Sequence, residues 1–190
     1  MLNRIVAAGA GGALVLVLWA FVSNGIFGFK SRVDLNRIPD EGRVYEVLKE
    51  SIVSPGAYIL NPTPVPGVGF PPGEPVFSIR YSGMGHEAAG RMLLLDLAVA
   101  LVAPTLAAWL LSLASDRVLN RYWRRVAFFA VIGLLVAVFS DLPKAGIGGY
   151  PLSSVLLLSA YDVASWTLCG LAAAWLIRRG VSVVGQPRTA

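Results

Sequence analysis

The charges of this chain are clustered, and the long intervals between the clusters are apolar. Four such intervals stand out: about Ile5 to Phe27, about Ala88 to Leu113, about Val126 to Leu142 and about Leu152 to Ile177. The hydrocarbon core of a bilayer is about 30 Å thick and takes roughly 20 helical residues to cross. Backbone groups in lipid must find their hydrogen bonds within the segment, which a helix provides. The four runs therefore predict an all-α membrane protein with four transmembrane helices. Composition agrees: 56% of the residues are hydrophobic and 14% charged, where a soluble domain carries about 25% charged residues.

The first run has a rival reading as a secretory signal peptide, whose apolar region is about 7–15 residues and ends at a small-x-small site. This run is longer, and Ala20-Phe21-Val22-Ser23 is a poor cleavage site. A retained anchor is expected.

Short loops set orientation, because lysine and arginine favour the cytoplasmic side. Residues 115–125 hold Arg117, Arg121, Arg124 and Arg125, and the tail after the fourth run holds Arg178, Arg179 and Arg188. The 143–151 connection has only Lys144. Both termini are then expected in the cytoplasm of a bacterium, with the chain in the inner membrane. The expected layout is helix 1 at 1–27, an extracytoplasmic segment at 28–87, helix 2 at 88–114, an arginine-rich cytoplasmic loop at 115–125, helix 3 at 126–142, a Pro/Gly loop at 143–151, helix 4 at 152–177 and a cytoplasmic tail at 178–190. The net charge of +5 belongs with anionic headgroups rather than with nucleic acid.

The 28–87 segment reads as a small α+β cap. Asp40 is a candidate N-cap, and Val44, Leu48 and Ile52 repeat at i, i+4, i+8 as one apolar stripe. Ala57 to Leu60 and Val76 to Tyr81 read as a hairpin's two strands, with Phe77, Ile79 and Tyr81 on one face. The six prolines of 61–75 exclude a central strand between them. So small a unit lacks a sufficient core and is expected to pack on the helix ends or on a partner protein.

Trp19 and Ser23, then Ile38-Pro39-Asp40-Glu41, then Pro55-Gly56-Ala57-Tyr58 followed by Asn61-Pro62 follow one another along the first third of the chain. In these residues the chain resembles a family of small four-helix bacterial inner-membrane proteins with L/I-P-x-E and P-G-x-Y-x-x-P motifs in an outer loop. The likeness covers nearly the whole length, and it departs at the last proline, which falls one residue late. It implies the four-helix layout and no activity.

Asp162 lies about ten residues into the fourth run, some 15 Å deep. A carboxylate there costs about 2.5–3.5 kcal/mol on insertion scales. Three readings stand: a proton or ion relay, a polar contact that docks another subunit, or a hydrogen bond to Ser159, Tyr161, Ser165 or a neighbouring helix. Asp96 with Arg91 forms either an intramembrane ion pair or a polar collar, and Asp141 ends the third run. These three carboxylates, if they converge, form an acidic cluster able to bind a cation. His86 and Glu87 are candidates for acid/base chemistry or ligation, against an ordinary interfacial role. Gly9, Gly12 and Ala13 make a small-residue face for a partner subunit or for the chain's own bundle.

No catalytic, cofactor or metal motif stands out, and the single cysteine, Cys169, allows no intrachain disulfide. The expectation is a non-catalytic accessory or scaffold subunit, not an enzyme, whose partners are other integral membrane subunits of a larger complex, energy-transducing complexes included. The alternative is a small ion-coupled transporter using Asp162 and Asp96; a membrane enzyme using His86 and Glu87 is third.

Overall fold

Four helices long and apolar enough to cross a membrane, Leu2–Ile26, Met92–Ser112, Tyr122–Ala145 and Leu152–Leu176, dominate the chain. The computed structural model describes residues 2–85, 89–146 and 149–177, the side chains of residues 34 and 89–91 excepted. The chain divides into two units, residues 1–36 with 93–190, and residues 37–92.

In the helical unit, α1 (Leu2–Ala20) runs on through a π-helical stretch, Phe21–Ile26. Gly28 then takes φ +60°, a conformation that only glycine adopts without strain, and the chain turns into α2 (Phe29–Asp34). Between the two parts of the helical unit lie α3 (Glu41–Ser51), β1 (Gly56–Leu60) and β2 (Phe77–Tyr81). They are followed by α4 (Ala89–Ser112), the short α5 (Asp116–Leu119) and α6 (Tyr122–Val136). A second π-helical stretch, Ala137–Asp141, leads from α6 into α7 (Leu142–Ala145), and α8 (Leu152–Leu176) closes the bundle.

The third long helix is longer than its apolar run implies at both ends. Tyr122 and Trp123 lie inside it, and Pro143 does not end it. Pro143 stands in the first turn of α7, where a missing N–H removes no helical hydrogen bond. The 143–151 break therefore begins only after Ala145.

The core gathers at one end of the bundle, where α1 begins, α4 finishes and α8 finishes. Ile5, Ala8, Ala107, Ala108, Leu111, Phe129, Cys169 and Ala173 form it. Without a hydrophobic force between helices in lipid, close backbone approach is what holds them. Glycines provide it: a Cβ on Gly9 would lie 2.7 Å from the Thr105 Cα, and one on Gly170 would lie 2.6 Å from the Phe129 Cβ. Gly133 makes the same kind of approach to Val163, 3.0 Å from its Cα.

The arginine loop is part of this packing. Arg125 is buried; its Nε donates to the Ala174 carbonyl at 3.0 Å, and its Nη1 donates to the Leu119 carbonyl. Tyr122 donates its phenol proton to the Leu171 carbonyl at 2.9 Å. Carbonyls in the last turn of a helix lack partners within it and carry the negative end of its dipole. Arg125 thus caps α8, which ordinary charge counting assigns only to orientation.

α4 joins this bundle through its second half. Pro104, Ala107, Ala108 and Leu111 are buried, whereas Leu93, Leu94, Leu95, Val99 and Val102 are exposed.

The 37–92 unit is built differently. β1 and β2 pair antiparallel in register Gly56↔Tyr81, Tyr58↔Ile79, Leu60↔Phe77, which puts Phe77, Ile79 and Tyr81 on one face. Asp40 stands at the N-cap of α3, but with φ 59° and no capping hydrogen bond from its side chain. Val44, Leu48 and Ile52 form the apolar stripe, and all three are only half-buried. Among the described residues of 37–92, none is buried.

Candidate functional site

The opposite end of the bundle is polar. There α1 finishes, the α6–α7 segment finishes and α8 begins, and both π-helical stretches lie there. A π turn widens the helix and re-aims the side chains beside it, a feature frequent at functional sites. Ser23 and Asp141, one on each stretch, are both buried.

Asp141 is 2% exposed. Its Oδ1 accepts a hydrogen bond from Lys144 Nζ at 2.7 Å. The carboxyl of Asp162, on α8, lies within hydrogen-bonding reach of the Asp141 carboxyl, and Asp141, Lys30 and Lys144 all act on it electrostatically. Two carboxylates and two ammonium groups thus share one end of the bundle. The Lys144–Asp141 pair offsets the desolvation that an isolated buried charge would suffer.

The neighbouring residue on α8, Tyr161, reaches the first helix. Trp19 and Phe29 stack on its ring, at centroid distances of 5.8 and 5.3 Å, and Lys30 Nζ stands 5.2 Å from the ring centre. Asn24 Nδ2 donates to the phenol oxygen at 3.1 Å. The Ser23 hydroxyl and the phenol are 3.2 Å apart, and Ser23 already donates to the Trp19 carbonyl. A hydroxyl has one proton, so at this contact the phenol is the donor. Tyr161 and Asp162 together tie α8 to both of its long neighbours at this end.

Two apolar grooves flank the cluster. One, of about 370 Å³, is lined by Trp19, Phe27, Leu157 and Tyr161; the other, of about 500 Å³, lies against Ala137, Leu142, Ser159 and Val163. The Ser159 hydroxyl is buried with no hydrogen-bond partner among the described residues, as is Trp19 Nε1.

Of the residues singled out in the sequence, Asp141 and Asp162 are brought together. Asp96 is exposed on the first half of α4 and is not among the charges acting on Asp162. The side chain of Arg91 and the pair His86 and Glu87 lie outside the described residues, as does the 178–190 tail with its arginines. Gly9 is set against Thr105, and Gly12 against Cys169 and Pro104, with Ala13 buried beside them. This small-residue face packs on the chain's own helices. Among the described residues no group of three or more His, Cys, Asp or Glu side chains is placed to hold a metal ion.

Sequence reasoning missed Lys30, Lys144, Ser23 and Asn24 as members of the cluster, and it named Tyr161 only as a hydrogen-bond partner for Asp162, whereas its phenol meets Ser23 and Asn24. The signal was present for two of them, since Ser23-Asn24 is a polar pair in an otherwise apolar run. No known protein family, curated protein or solved structure matches this chain.

Proposed function

We propose that the chain is a non-catalytic accessory or scaffold subunit of a larger membrane complex, and that residues 37–92 are its docking unit. One observation carries this: the unit has a helix and a hairpin, yet none of its described residues is buried. Val53, Ile59, Val68, Phe70 and Phe77 are all more than half exposed. A unit of this size that leaves such residues uncovered lacks the burial to offset its ordering entropy, and a partner's surface would supply it.

The setting we propose is a bacterial inner membrane, with the termini and the 115–125 loop cytoplasmic and the 37–92 unit on the other side. Arg117, Arg121 and Arg124 in a short loop support that orientation. The motif likeness to small four-helix inner-membrane proteins fits the same picture. The test is purification from native membranes in mild detergent, with the native mass measured. A stoichiometric second membrane protein, and a particle well above the 20.2 kDa of this chain, is expected; a lone monomer removes the proposal.

A second reading, a small ion-coupled carrier, is favoured by one specific observation. Asp162 and the buried Asp141 face each other across two helices beside Lys144, and carboxylates within membrane spans are the usual carriers of coupled ions. Flux into proteoliposomes that survives Asp162→Asn unchanged ends this reading.

A further inference from the structure

The 37–92 unit holds a groove of about 250 Å³ between α3 and β2. One wall is α3 with its C-cap, through Tyr45, Leu48 and Ile52. The other wall is three consecutive residues of β2, Ile79, Arg80 and Tyr81. Successive side chains of a strand point to opposite faces. Three in a row line a groove together where it runs along the strand's edge. β1 occupies one edge of β2 in this two-stranded sheet, and no residue of β1 lines the groove. The groove therefore lies along the other edge of β2, whose backbone N–H and C=O groups have no ladder partner among the described residues.

Such an edge is a template for another strand, and the groove gives the added strand a floor for alternate side chains. Its volume falls below the roughly 300–1,000 Å³ of small-molecule pockets. Its charge narrows the occupant further. Arg80 stands in one wall and Lys49 beside the other, and the pairing of Lys49 with Glu46 is long, at 3.7 Å, and exposed. Exposed pairs of that kind contribute little, so Lys49, which also stands 5.8 Å from the Tyr45 ring centre, can turn to a partner's carboxylate beside the exposed Arg80.

We propose that this groove accepts an extended segment of a partner polypeptide as a third strand on β2, with apolar side chains toward Leu48 and Ile52 and a carboxylate toward Arg80 and Lys49. The inference rests on the docking role proposed above and names its chemistry. Main-chain hydrogen bonds along β2 supply the affinity, and the apolar floor and the two cations supply the selection.

The experiment places a photo-reactive benzoylphenylalanine at Phe77 and, separately, at Tyr81 in the full chain in native membranes. The two positions are four residues apart on one strand. Cross-links from both are expected on one stretch of one partner, about four residues apart in its sequence, as strand pairing requires, with an Asp or Glu within that stretch. Arg80→Glu combined with Lys49→Glu should lower the cross-link yield at least tenfold, and Arg80→Lys should retain most of it. Cross-links to lipid, to a second copy of this chain, to the chain itself or to scattered sites on a partner overturn the inference, and so does the absence of any. If a partner co-purifies while the cross-links fail, the strand-addition inference alone is lost; if no partner co-purifies, the docking role is lost with it.

Discussion

The helical unit and the 37–92 unit treat their apolar residues in opposite ways. The first closes its helices on one another until a glycine hydrogen is all that separates them, as at Gly9 and Gly170. The second leaves its helix stripe and its hairpin face half-covered, with a groove between them. The same contrast holds for charge. Lys144 meets a carboxylate whose side chain is 3% exposed, whereas Lys49 meets one that is 62% exposed. One unit buries a core; among its described residues the other buries none.

The sharpest break of that comparison is steric. Gly170→Leu should prevent the bundle from assembling, because even a Cβ meets the Phe129 Cβ at 2.6 Å, and its product should be lost to aggregation on detergent gel filtration. In the other unit Phe77→Asp should leave the thermal transition of the purified chain within about 1 °C, while removing at least nine-tenths of any co-purifying partner. An equal loss of thermal stability in both variants would erase the distinction between the units.

Charge comes next. Lys144→Met leaves Asp141 buried without its cation, and should lower stability in detergent by about 3 kcal/mol. Lys49→Met should change it by less than about 0.5 kcal/mol. Arg125→Ala removes the donor to the Ala174 carbonyl and should cost about 2 kcal/mol, read from denaturant titrations of the purified protein. At the small end lies Gly42→Ala. Nothing stands within 4 Å of a Cβ at that position in α3, so the helix should gain about 0.5–1 kcal/mol, visible as increased protection of α3 amides from hydrogen exchange.

The four helices were legible because lipid imposes a length and an absence of charge, and both are local properties of a sequence. The hairpin was legible for a similar reason: Phe77, Ile79 and Tyr81 alternate with polar residues, and the pairing with Gly56–Leu60 follows. What the sequence withheld was azimuth. Asp141 and Asp162 meet because a π turn at Ala137–Asp141 and the pairing of α6 with α8 turn them toward each other. Neither is encoded in spacing along one helix. Lys30 enters the same cluster only because Gly28 turns the chain after the first span. The reach of the third helix past Pro143 was hidden too, since a proline reads as a stop unless its place in a first turn is known. Arg125 was counted with its neighbours as a topological charge, although burial sets it apart from them.

The two π turns also bear on how the chain tolerates changes in length. An i→i+5 bond encloses one residue more than the i→i+4 bond of an ordinary turn. Losing a single residue within Ala137–Asp141 lets that stretch tighten while the flanking segments keep their bearings. Losing one at Leu134, inside regular helix, instead swings Asp141 about 100° away from Asp162. Single-residue deletions in this protein thus have an address: the π stretch absorbs them, and the regular helix before it does not.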